Sequence, residues 1–193
     1  DYENIIQNKK IKIIFQETID KRVENFLKSK NLDLLILKNK ESHKLNDNSY
    51  FTIIKQGHID SSFLYETQNA YHLNINDCNF INKELYQINS LIKNKNKRVI
   101  LYIQFSYASF RGSDTWLKKA AEYKLQNISK LSTIFNTSLV IPFASFFYFS
   151  HSENQNLKKF ANNCKTVSFF LNEKNINHCI LEPNTQLINI NEL

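Results

Sequence analysis

Short β-branched runs alternate with stretches of helical period along this chain. Residues 11–15 and 32–37 are apolar runs of strand length, and between them Ile19, Val23, Phe26 and Leu27 recur on one helical face. The pattern predicts strand, helix, strand. Residues 50–54 form another run, and 61–65 and 71–75 two more, the last pair separated by the polar turn Glu66, Thr67, Gln68 and Asn69. A connection of that length joins antiparallel neighbours, so a hairpin is predicted, with its second strand leading to Asp77.

Beyond Asp77, Leu85, Ile88 and Ile92 share one face of a helix predicted over 82–93, and an apolar strand follows over 98–103. A longer helix is predicted over 115–135, with Leu117, Ala121, Ile128 and Phe135 inward and Ser113 and Asp114 as cap residues at its start. A strand at 138–141 ends at Pro142. A helix over 154–171 carries Leu157, Phe160, Ala161, Cys164 and Val167 inward, and short strands at 176–181 and 187–190 close the chain. Strands and helices alternate around a central hairpin, which predicts a layered α/β fold in a single domain over residues 1–193.

Composition narrows the classes. At 193 residues with 42% hydrophobic positions the chain can bury a sizeable core. No apolar run reaches the length of a membrane span, and the first residues lack the basic-then-apolar pattern of a signal peptide. Cys78, Cys164 and Cys179 have no paired metal-finger spacing, which points to a reducing, cytoplasmic setting. The net charge is +7, but the 25 Lys and Arg are scattered without a basic stripe, so nucleic acid is not the expected partner. Asn and Lys abound while Gly numbers only 2, a compositional bias that makes single Asn residues poor markers. With no Met anywhere, the chain is expected to begin inside a longer protein.

Three segments after predicted strands carry candidate chemistry. In the first, Asp77 stands just past a strand end, the usual place for a site in α/β folds. A carboxylate there can bridge two cations, or it can complement the positive end of the next helix. The second is the aromatic run 141–154, which ends at His151 and Glu153; His151 is a candidate metal ligand or a first-turn residue of the following helix. The third, residues 103–114, offers Tyr107, Ser109 and Arg111 as substrate contacts, since Arg111 can pair bidentately with a carboxylate or phosphate.

The order of Asn76-Asp77-Cys78 after a hairpin, an Ala108-Ser109 loop after the next strand, and Pro142-Phe143-Ala144 running on to His151 resembles the second half of the metallo-β-lactamase fold. Within it, the chain is similar to the branch containing the metallo-β-lactamase-like domain of CMP-N-acetylneuraminate hydroxylase. The resemblance covers residues 58–154 and implies part of an αββα sandwich with its first half incomplete. It also implies that Asp77 is a bridging metal ligand and His151 a late one, although many relatives carry that histidine directly after the strand, where this chain has Phe143, Ala144 and Ser145.

The family's His-x-His-x-Asp-His motif is missing; His43, His58, His72, His151 and His178 include no such spacing. Two divalent ions, zinc or iron, are therefore expected only if an N-terminal segment supplies that motif. The implied activity is hydrolase- or oxygenase-like, on a sugar nucleotide or another anionic metabolite. The alternative is a metal-free binding or assembly module whose partner is a protein or the missing N-terminal half.

Overall fold

The computed structural model describes residues 11–58, 60–107, 111–143, 145 and 149–181. The predicted strand at 187–190 and the candidate Ser109 lie outside them. The described part opens with β1 (Lys12–Gln16), α1 (Arg22–Ser29) and β2 (Asp33–Leu37), and β1 and β2 pair in parallel as a two-stranded sheet. A six-stranded sheet follows from β3 (Ser42–Asn46), β4 (Ser49–Gln56), β5 (Asp60–Glu66), β6 (Ala70–Asn76), β7 (Arg98–Gln104) and β8 (Leu139–Phe143), in that spatial order. The strands β3 to β6 are antiparallel neighbours, whereas β6, β7 and β8 run parallel.

Parallel neighbours need crossover connections, and helices provide both. Between β6 and β7 runs α2 (Asn82–Asn89), and between β7 and β8 runs α3 (Asp114–Phe135). Glu84 of α2 accepts the Ile81 backbone N–H at 2.8 Å, and the Ser113 hydroxyl caps α3 by accepting from Trp116 N–H. Leu85 and Ile88 from α2 and Leu125 and Ile128 from α3 pack on Leu73, Ile75, Leu101, Ile103 and Val140 of the sheet, forming the main core. Because alternate strand residues face opposite sides, only one face of β6 and β7 is committed to the helices.

The other face carries a small buried aliphatic cluster of Ala70, Ile100, Leu139 and Ile141 and, beside it, a row of aromatic side chains. Register places Phe51 opposite Tyr65, Tyr65 opposite His72, and Asn74 opposite both Phe63 and Tyr102. Phe51 stacks on Phe63 with centroids 4.9 Å apart, His72 lies between Tyr65 and Tyr102, and Tyr102 meets the edge of Phe143. These side chains are half-buried, unlike the fully enclosed helix-facing residues.

Sequence and structure part at several places. The strand β3 is absent from the prediction because its pattern, Ser-His-Lys-Leu-Asn, is largely exposed and polar, so edge pairing with β4 rather than burial defines it. The helix predicted over 154–171 divides into a 3-10 helix at Ser152–Phe160 and α4 (Cys164–Glu173). Asn162 and Asn163 break it: Asn163 caps α4 by accepting from Thr166 N–H, and Asn162 is drawn inward by bonds described below. The predicted strand at 176–181 reduces to a single bridge between His178 and Val140. Helix α2 stops at Asn89, short of 93.

Replacing Leu101, fully enclosed on a central strand, by Ala is expected to lower unfolding stability by about 3 kcal/mol. Phe169→Ala, at a side chain 68% exposed, should change it by less than about 0.5 kcal/mol. Urea denaturation monitored by circular dichroism reads both, and equal losses would show that the sheet is not the centre of the core.

Candidate functional site

The parallel arrangement brings the carboxyl ends of β6, β7 and β8 to one edge of the sheet. At the end of β6, Asn76 takes a left-handed conformation with φ 51°, which Asn tolerates better than most side chains. The turn closes with Cys78 N–H donating to Ile75 C=O at 3.1 Å, and Cys78 is only 3% exposed. Held between a left-handed turn and a core anchor, Asp77 projects to the surface, where Asn76 Nδ2 donates to its Oδ1 at 2.9 Å. Burial, together with the Asp60 and Asp77 charges, pushes the Cys78 thiol up to about 12, so it stays protonated at neutral pH.

Next to it, β7 ends in Gln104, whose Oε1 accepts from Lys124 Nζ of α3 at 2.6 Å. Lys124 is half-buried, and its pKa is lowered by burial against an opposing pull from the Asp77 charge. Asp77, Gln104 and Lys124 thus form one electrostatic neighbourhood. Sequence reasoning passed over Lys124 and Gln104. The available signal was a lysine on the apolar stripe of a helix, three residues after Ala121 and four before Ile128.

The loops after β7 and β8 are tied by a buried knot. Ser145 Oγ accepts from the backbone N–H groups of Phe105 and Ser106 at 3.1 and 2.9 Å. Asn162 N–H donates to Ser106 Oγ, while Asn162 Nδ2 donates to the carbonyls of Phe105 and Ala121. Ser106, Ser145 and Asn162 are all buried, so the low local polarity makes each bond costly to lose. Ser145 thus fixes the backbone that follows β7.

The remaining candidates lie on these loops. Tyr107 packs edge-on against Trp116 with centroids 6.2 Å apart, and burial raises its phenol pKa. Gly112 permits this packing, because a Cβ there would approach the Trp116 ring to 2.6 Å and its φ is +130°. Arg111 is exposed. His151 is exposed and occupies the N-cap position of the 3-10 helix without a side-chain capping bond, although its carbonyl accepts from Asn154 N–H. An open groove of about 580 Å³ between α3, the 3-10 helix and α4 is lined by Asp114, Glu122, Lys159 and Phe170, and includes none of Asp77, Tyr107, Arg111 or His151.

A pair of divalent ions finds one suited donor here. Asp77 offers an exposed carboxylate, but Cys78 is protonated and enclosed, and no three His, Cys, Asp or Glu side chains gather among the described residues. Metals of this kind want at least three protein ligands. The described residues do not by themselves fit a complete metal centre.

No protein-family profile and no curated protein matches the chain. Among solved structures, a mutant form of CmlA beta-hydroxylase is similar over 89% of this chain with a TM-score of 0.62 and 8% identity. The fold is part of an αββα metallo-β-lactamase sandwich. The chain spans 38% of the length of that hydroxylase, and at such low identity the likeness establishes architecture rather than chemistry. No helix among the described residues is long and apolar enough to cross a membrane.

Ser145→Ala strands two enclosed backbone donors, and a stability loss of about 2 kcal/mol is expected by urea denaturation. Because the folded Cys78 thiol titrates above its unfolded value, its contribution to stability is complete below the unfolded pKa and is lost as pH rises through about 12. At pH 8, Cys78 should therefore resist a thiol reagent until the protein is unfolded; native labelling of Cys78 as fast as in urea would contradict its burial.

Proposed function

We propose that this chain is part of a metal-dependent, hydrolase- or oxygenase-like metallo-β-lactamase-fold domain, to which it contributes Asp77 and His151 while the ligands that complete the site lie outside the described residues. The observation that carries the reading is the placement of an exposed carboxylate at the carboxyl end of β6, where the sheet turns from antiparallel to parallel. Sites in α/β sheets concentrate at such ends. His151 is proposed as a second donor on the strength of the Pro142-Phe143-Ala144 segment that leads to it. That segment and Asn76-Asp77-Cys78 also support the hydroxylase-like branch, and with it an anionic substrate such as a sugar nucleotide, contacted by Arg111, Ser109 and Tyr107.

A second reading is a metal-free assembly module of the same fold. It is favoured by the half-buried aromatic row from Phe51 to Phe143, a surface suited to a protein layer.

Elemental analysis of the full-length gene product separates the two. About two zinc or iron ions per chain, reduced by at least about half in Asp77→Ala, is the result expected for a dinuclear site bridged by this carboxylate. Metal-free protein in both forms would leave the assembly reading standing and reduce Asp77 to a partner of α2.

A further inference from the structure

We infer that Lys124 and Gln104 form an anion-binding subsite beside Asp77, suited to a carboxylate or phosphate group of the substrate. The inference deepens the reading of this strand end as an active site and rests on it.

A lysine ammonium has three donors and no acceptor, so the Gln104 atom it meets at 2.6 Å is the carbonyl oxygen. That contact fixes the amide, leaving the two Nε2 hydrogens of Gln104 for another partner. Among the described residues, Lys124 donates to Gln104 alone, and two of its hydrogens are unspent. Four donors from two neighbouring side chains therefore remain at the carboxyl end of β7. Gln104 Nε2 is not among the sealed, unpartnered polar atoms of the described residues, so that donor is not closed off from a ligand.

Charge and burial favour an anion over water alone. Lys124 is half-buried on the stripe that carries the enclosed Ala121, Leu125 and Ile128, so its cation is partly stripped of solvent. A partly desolvated ammonium attracts an anion more strongly than an exposed one. Burial also lowers its pKa, while the Asp77 carboxylate pulls the other way without a direct salt bridge among the described residues. The knot of Ser145, Ser106 and Asn162 holds the backbone immediately after Gln104, so the donors are preorganised. A substrate anion seated here would place the rest of the molecule next to Asp77.

The test uses the full-length protein treated with a chelator, titrated with inorganic phosphate and followed by phosphorus NMR. Saturable binding is expected in the wild type. Lys124→Gln should weaken it by about tenfold or more, the order expected for losing a charged hydrogen bond. Lys124→Arg, which keeps the charge, should retain most of it. Asp77→Asn should tighten it, because the neighbouring negative charge is removed. Absence of saturable binding in the wild type, unchanged affinity in a folded Lys124→Gln, or no gain in Asp77→Asn would each overturn the subsite. Thermal melting checks the fold, and if Lys124→Gln is unfolded, Gln104→Leu with the same expected loss takes its place. Metal content in Asp77→Ala is read without phosphate, so failure of the metal reading and failure of the anion subsite are told apart.

Discussion

The rest of the structure depends on β6 pairing antiparallel on one side and parallel on the other. Its helix-facing residues Tyr71, Leu73 and Ile75 are enclosed to within 1% exposure, the mark of a strand buried in the middle of a sheet. From this strand onward each connection must cross over through a helix, and α2 and α3 are those crossovers. The same pairing forces the ends of β6, β7 and β8 to one edge, so Asp77, Gln104 and Ser145 come to the same edge of the sheet although they are far apart in the chain.

That edge combines two regimes. Asp77 is solvated, whereas a few residues away Cys78, Ser106, Ser145 and Asn162 are enclosed and, apart from the thiol, tied by hydrogen bonds. Lys124 sits at the boundary, partly desolvated and bonded to Gln104. A rigid, satisfied polar layer beneath exposed charged groups is what holds reactive side chains in place, since the backbone below them has no inexpensive alternative arrangement.

The two faces of the sheet differ in the same way. Toward the helices, aliphatic side chains interlock and exclude solvent. Toward the opposite side, Phe51, Phe63, Tyr65, His72, Tyr102 and Phe143 are half-buried, with His72 Nδ1 and the Tyr102 hydroxyl 3.0 Å apart. Sheets in two-layer folds bury that second face against another layer, which fits the sandwich architecture shared with the hydroxylase.

The sequence by itself determined the alternation of strands and helices, the hairpin before Asp77, the cap at Ser113 and the α/β layering, because periodicity and capping are local properties. Compositional bias hid other signals. Among the described residues, four of the six non-glycine positions with positive φ are asparagines, Asn31, Asn76, Asn136 and Asn175, doing at turns and helix ends what glycine does elsewhere, a role that the Asn-rich composition concealed. Only the tertiary structure decided the break at Asn162, the edge strand β3, the inward turn of Ser145 and the pairing of Lys124 with Gln104. Asn162, Ser145 and Lys124 depend on partners between 20 and 57 residues away in the chain, and β3 depends on pairing with β4 rather than on burial, neither of which a local pattern of hydrophobic and polar positions encodes.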